Sequence, residues 1–378
     1  MTARLIYADS ESSADLYYAT RFFAPDPFLY IAEASGTSHL ITSSLEVDRA
    51  KRTAKVDQVH DWEQIRQQHK KLFPEEPLNE ATITAFFLTK LEIDTVAVPA
   101  TFPVSLADGL RALAVTVNPL SGSFWPQREI KTPDEITAIE AALTITGRGM
   151  MAGIELIRSS TIGKDGLLYI GDKQLSSEIV RGEINATLVR EGAQPNHTIV
   201  SGGKQGSDPH EEGSGPLPAN QAIILDVFPR VEKTGYWGDM TRTVCRGKAP
   251  KKVKAAWDAV YEGQKIAFAK IKDGMSGKEI HDEITAYLTQ QGFPTGADEQ
   301  GRQGGFFHGT GHGLGLEIHE APRISSKDQT LKTGHVVTVE PGLYYPDMGG
   351  VRLEDVVVVE KNGCRNLTKI PKFLELGE

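Results

Sequence analysis

The chain has 378 residues, ordinary globular proportions of hydrophobic (39%) and charged (24%) residues, and a net charge of −9. This length fits two or three domains. The composition excludes wholesale disorder, and the acidic balance argues against a general nucleic-acid binder, which needs a basic face. Two cysteines, Cys245 and Cys364, cannot build a disulfide framework, so a reducing, cytoplasmic compartment is expected. Residues 1–10 hold no apolar run of signal-peptide length, and no stretch approaches the ~20 apolar residues of a membrane helix, so no membrane role is expected.

The first part reads as a small α/β unit. Residues 28–32 and 39–42 form apolar runs on either side of Ser35-Gly36-Thr37-Ser38, the pattern of a hairpin. A helical pattern at 80–91 is followed by Thr95-Val96-Ala97-Val98 and then by the apolar residues of 110–117. Turn formers dominate from Asn118 to Ser123, with Pro126 beyond. Next comes a helix start: Thr132 as cap, Pro133 at the first helical position and Glu135 closing a capping box. The domain boundary is therefore placed near residue 127, giving domains 1–127 and 128–378.

Beyond it, 175–190, 251–271 and 278–289 read as helices, each closed by a glycine (Gly192, Gly274, Gly292). Strands are expected at 223–231, 237–244, 335–340 and 351–359. Helices interspersed with antiparallel strands predict an α+β class. There is no internal repeat of 20–50 residues.

Four of ten histidines (His308, His312, His319, His335) fall within 28 residues. The solitary His39, His60, His69 and His281 stand in polar stretches and are expected to be solvated. The segment from Gly304 to Glu320 is too rich in glycine to be a helix, so His308 and His312 are not a helical metal pair. His319-Glu320-Ala321-Pro322-Arg323 fails the H-E-x-x-H pattern, and the glycines match neither a dinucleotide fingerprint nor a P-loop.

Four acids stand in or beside valine- and isoleucine-rich strands. Asp226 ends Ile223-Ile224-Leu225, and Asp239 lies across a hairpin from it. Glu340 ends Val336-Val337-Thr338-Val339, and Glu354 follows Val351-Arg352-Leu353. An acid in such a strand is costly unless it is paired or metal-bound. An oxygen-rich set with one imidazole suits Mn²⁺, Co²⁺ or Zn²⁺ in pairs.

At these residues the sequence resembles the creatinase/methionine aminopeptidase superfamily, the pita-bread metallopeptidases. The resemblance covers residues 128–378, and more weakly 1–127 as a creatinase-like N-terminal domain. It implies an α+β fold with a pita-bread catalytic domain and a smaller N-terminal α/β domain. Asp226, Asp239, His312, Glu340 and Glu354 match the family's metal ligands in order. Carried over, Asp226 would hold one metal, Asp239 and Glu354 would bridge two, and His312 and Glu340 would complete the second. Glu340 would shuttle the proton of a bridging water. His210 matches the outer histidine that faces the substrate, and His319 the one that bonds the scissile amide.

His308, four residues before His312, and Arg352, two before Glu354, resemble the proline-specific branch. On a continuous strand residues i and i+2 share a face, which would set Arg352 beside Glu354. Arg323 resembles an arginine suited to the free carboxylate of an Xaa-Pro dipeptide. The resemblance thus implies a cytoplasmic, homodimeric Xaa-Pro dipeptidase or aminopeptidase acting on short proline-containing peptides with two divalent metals, Mn²⁺ first and Co²⁺ or Zn²⁺ as options. A different small-amide hydrolase or lyase, a methionine-type aminopeptidase and a non-catalytic binding module are the alternatives.

Overall fold

The computed structural model describes residues 2–377. The chain divides into two compact units, Met1–Pro126 and Gln127–Glu378.

The first unit is a six-stranded mixed sheet with helices. Three strands, Ala3–Ala8, Phe28–Ala32 and Ser38–Thr42, run antiparallel in sequence. Gln58–Asp61 joins parallel at one end, and Thr95–Val98 then Thr116–Pro119 join parallel at the other. Alternation divides the strand residues between two cores. Leu5, Leu29, Ile31, Ile41 and Val96 pack with Ile83, Leu88 and Leu110 of two helices, Glu80–Lys90 and Val104–Ala112. Ile6, Tyr30 and Leu40 pack with Leu16, Phe22 and Phe124. A sheet covered on both faces explains why its strands read as unbroken apolar runs. His39 and His69, expected to be solvated, are 1% and 2% exposed. The His39 ring bonds Glu33 and His60, and His69 contacts Glu76, so side chains brought close by the fold supply partners rather than water.

The second unit uses one plan twice, a helix pair packed on antiparallel strands. Its first helix, Pro133–Arg158, begins with the expected capping box between Thr132 and Glu135. It packs on Ser177–Arg190, whose cap is Ser176. Gly149 and Gly153 permit this closeness, since a Cβ at either would come within 2.8 Å of Leu188 or Ile184. The pair covers a three-stranded sheet with Ile223–Val227 between Ile199–Gly202 and Met240–Val244. The second pair, Lys251–Lys270 and Gly277–Gln290, packs beside a five-stranded sheet. Its order is Glu320–Ile324, Gly311–Gly313, Val336–Val339, Asp355–Glu360 and Gly363–Asn366.

Three expected strands are shorter or broken. The 223–231 run stops at Val227 and resumes as Arg230–Val231, because Pro229 has no N–H to give a ladder. The 237–244 run becomes regular only at Met240. Ahead of it, the Trp237 N–H donates to the Gly315 carbonyl, and Gly238 lies so close to the first helix that a Cβ would come 2.1 Å from Thr146 Oγ1. The 351–359 run is two strands, Gly349–Arg352 and Asp355–Glu360. It breaks at Leu353-Glu354, where the Glu354 N–H leaves the ladder for the Thr241 carbonyl.

Candidate metal centre and its cavity

Each of the five expected ligands stands in or at the edge of a strand of the second unit. Asp226 lies opposite Thr241 in the antiparallel register, and Asp239 immediately precedes that partner strand. Glu340 follows Val336–Val339, and Glu354 precedes Asp355–Glu360, two strands that pair with each other. His312 is the middle residue of Gly311–Gly313, between the Glu320–Ile324 and Val336–Val339 strands. Its glycine neighbours are required by packing. A Cβ at Gly311 would sit 1.9 Å from the Thr338 carbonyl oxygen, and one at Gly313 2.3 Å from that of Ala321.

The side chains converge. Ligand atoms of Asp239, His312 and Glu354 lie within 4.8 Å of one another, all three residues being buried. His312 Nε2 is 3.3 Å from Glu340 Oε1 and 3.6 Å from Asp239 Oδ2. The His312 Nδ1–H donates to the Gly313 carbonyl (3.1 Å), which turns Nε2 toward the carboxylates. Oδ1 of Asp226 is buried without a hydrogen-bond partner. Burial, then neighbouring carboxylates, raise Asp239 and Glu354 well above the usual carboxylate range. Burial alone would lower His312, but the Glu340 hydrogen bond and charge, then Asp239, outweigh it and raise it. The opposed carboxylates of Asp239 and Glu354 beside one imidazole make a donor set that fits a divalent-metal centre.

The remaining expected residues share the cavity. His210, His308, His319, Arg323 and Arg352 line the same space of about 570 Å³ as the five expected ligands. Arg352 departs from its expected placement. Because the strand breaks at Leu353-Glu354, its guanidinium goes to Asp226 (Nη2 to Oδ2, 2.6 Å). It reaches Glu354 only through Thr241, whose hydroxyl accepts from Arg352 Nε at 3.2 Å and donates to Glu354 at 2.9 Å. Arg352 Nη1 also donates to the Tyr344 hydroxyl, 2.7 Å away.

That hydroxyl donates in turn to His308 Nε2 (3.0 Å), and the His308 Nδ1–H donates to the Gly309 carbonyl (2.8 Å). Both ring nitrogens of His308 are thus engaged within the protein. Its ring makes edge contacts with Phe306 and Phe307. His319 stacks edge-on against His312, with centroids 4.4 Å apart. Partial burial and the His312 charge pull His319 down to about 4, which keeps it neutral. Among the described residues the Arg323 guanidinium has no carboxylate partner, while its backbone N–H donates to Gln329 Oε1.

Sequence reasoning overlooked Tyr344, Thr241 and Thr338. Thr338 donates to Glu340 Oε1 (3.2 Å) and accepts from the His312 N–H. Threonine in a strand reads as ordinary β-propensity. The available signal was a threonine two residues from Asp239 and another two residues from Glu340.

A family model described as "Metallopeptidase family M24" matches residues 137–361. A curated relative from Pyrococcus furiosus, named Xaa-Pro dipeptidase, is 36% identical over 251 residues, 65% of this chain and 65% of its own length. The match therefore spans just under two thirds of that relative. The crystal structure of the prolidase from Pyrococcus horikoshii OT3 has a TM-score of 0.79 at 26% identity, covering 99% of this chain and 95% of the other. An X-Pro aminopeptidase structure from Thermotoga maritima MSB8 has a TM-score of 0.81 at 23% identity, with 99% and 97% covered, a likeness of fold.

Proposed function

The chain belongs to metallopeptidase family M24, and from that premise we propose that it hydrolyses the bond between an N-terminal residue and proline. Asp226, Asp239, His312, Glu340 and Glu354 would hold two divalent ions, Mn²⁺ first and Co²⁺ or Zn²⁺ as options. The observation that carries this reading is the buried cluster of Asp239, His312 and Glu354, whose ligand atoms lie within 4.8 Å of one another, with Glu340 beside His312. Bound there, the metal pair supplies Lewis acidity, acidifying water and polarising a carbonyl.

The chain's own residues do the rest. Glu340, the most solvent-accessible of the central acids beside His312, accepts a proton from the attacking water and returns it to the leaving imino nitrogen. His319 is neutral and donates a hydrogen bond to the scissile group as charge develops on its oxygen. His210, exposed at the cavity edge, faces the substrate. With both nitrogens engaged, His308 offers the substrate its ring, which with Phe307 makes an aromatic wall suited to a pyrrolidine. Arg323 faces the cavity without a carboxylate partner among the described residues, so it is suited to the free carboxylate of a dipeptide. That favours dipeptides over longer substrates.

The same reading makes residues 1–127 a creatinase-like N-terminal domain and the protein a homodimer of the cytoplasm, where the free thiols Cys245 and Cys364 stay reduced. The test is hydrolysis of Xaa-Pro peptides of increasing length, alongside Met-Ala and Met-Gly, with Mn²⁺, Co²⁺ or Zn²⁺ added to metal-stripped protein. Metal-dependent cleavage of Xaa-Pro dipeptides above all others supports the reading. Equal kcat/KM on peptides without proline overturns it in favour of a methionine-type or broader amide hydrolase.

A further inference from the structure

Gln264 projects from the Lys251–Lys270 helix and is fully buried. Its side-chain amide nitrogen donates two hydrogen bonds, to the Val339 carbonyl (2.9 Å) and to the Leu353 carbonyl (3.3 Å). These are the residues immediately before Glu340 and Glu354. Val339 is the last residue of its strand, where it pairs with Asp355, and Leu353 lies in the gap between two strands, so each carbonyl stands where regular pairing ends.

The other end of each peptide group is also held. The Glu340 N–H donates to the Thr310 carbonyl (2.7 Å), and the Glu354 N–H to the Thr241 carbonyl (3.1 Å). Each peptide plane leading into an acid is therefore pinned at its oxygen by Gln264 and at its nitrogen by a neighbouring strand. A plane held at both ends fixes the direction in which the following Cα–Cβ bond leaves. One side chain does this for two acids on different strands, and so fixes their separation.

The amide pays for this arrangement. With both N–H groups spent on the two carbonyls, Gln264 Oε1 is left buried without a partner. Rotating the amide would only turn that oxygen against two carbonyl oxygens. An apolar residue of similar volume would fill the space without an orphaned acceptor, so packing alone does not account for a glutamine here.

We propose that Gln264 is a positioning residue for the metal centre, clipping together the two strand breaks that carry Glu340 and Glu354. The inference rests on the metal reading above. Outer partners of this kind typically change metal affinity by 10–100-fold.

The test is divalent-ion binding by the full-length protein, read by titration calorimetry with Mn²⁺ and by metal analysis after dialysis. Thermal melting of the metal-free forms runs in parallel. Gln264→Met keeps the volume and removes both donors, and Gln264→Asn keeps the donors on a shorter arm. Val260→Ala, a buried position on the same helix outside the site, controls for general loosening. The expected result is a 10–100-fold weaker Mn²⁺ affinity in both Gln264 variants, with Val260→Ala melting lower but binding Mn²⁺ as the parent does. Unchanged affinity in Gln264→Met, or an equal loss of affinity in Val260→Ala, overturns the positioning role while leaving the metal reading intact. A parent protein that binds no divalent ion overturns both. If Gln264→Met does not melt cooperatively, Gln264→Asn alone decides by the same criterion.

Discussion

Two regions of the second unit bury carboxylates, and they do so in opposite ways. Glu320 accepts hydrogen bonds from Arg128, from Lys131 (2.9 Å) and from the backbone N–H groups of Leu316 and Glu317. Burial would raise its carboxyl, but Lys131 and Arg128 outweigh this and lower it. Asp239 and Glu354 are just as buried and face other acids, and they are raised. A protein that can satisfy one buried acid so fully does not leave Asp239 and Glu354 opposed for want of cations in its sequence. The first region is complete as folded, and the second is completed by something bound. Arg323 is the mirror case, a cavity-facing cation without a carboxylate partner among the described residues.

The largest effect should come from neutralising the incomplete region. Asp239→Asn should bring hydrolysis of Xaa-Pro dipeptides below detection. It should also raise the melting temperature of the metal-free protein, because one of the opposed charges is gone. A lower metal-free melting temperature would place Asp239 with Glu320 as a structural acid.

His319 stands beside Glu320 in sequence yet on the other side of the comparison. His319→Ala should lower kcat by roughly 10²–10³, the usual cost of one preorganised hydrogen-bond donor, with metal content unchanged by elemental analysis. Loss of metal instead would make His319 part of the ion site.

Glu320 tests the complete region. Glu320→Ala removes the carboxylate that Arg128 and Lys131 both bond, and should cost about 3–5 kcal/mol in denaturant unfolding. The sign with pH follows from its lowered folded value. Its contribution is fully present above the unfolded glutamate value of about 4.3 and is lost as pH falls through the folded value. The stability gap between parent and Glu320→Ala should therefore narrow on acidification below about pH 4. A gap independent of pH would mean the loss is one of packing. The smallest effect should be that of Arg323→Ala, raising KM for an Xaa-Pro dipeptide roughly 10–100-fold, the scale of a hydrogen bond to a charged group, with a tripeptide changed much less. Equal changes for both lengths would assign the protein to the aminopeptidases.

Much of this contrast was legible before any coordinates. Acids in valine-rich strands and a histidine between glycines are chemical anomalies that survive without knowledge of contacts, and they line one cavity. The helices were equally plain, since Thr132, Pro133 and Glu135 carry their own start signal. The strand breaks at Pro229 and Leu353-Glu354 were less plain, because apolar content continues through them while the hydrogen bonds leave the ladder. That is why Arg352 was expected beside Glu354 and is found on Asp226. Long-range partners were invisible. Nothing local tells that Tyr344 bonds His308 from 36 residues away, or that His39 is buried against Glu33 and His60.

The most direct measurement is a Mn²⁺ titration of metal-stripped, full-length protein, following heat of binding and Xaa-Pro dipeptide hydrolysis in the same samples. Two ions bound per chain, with hydrolysis absent before addition and appearing as the sites fill, is the expected result. Full hydrolysis by protein shown by elemental analysis to be metal-free, or a chain that binds no ion at all, would contradict the account.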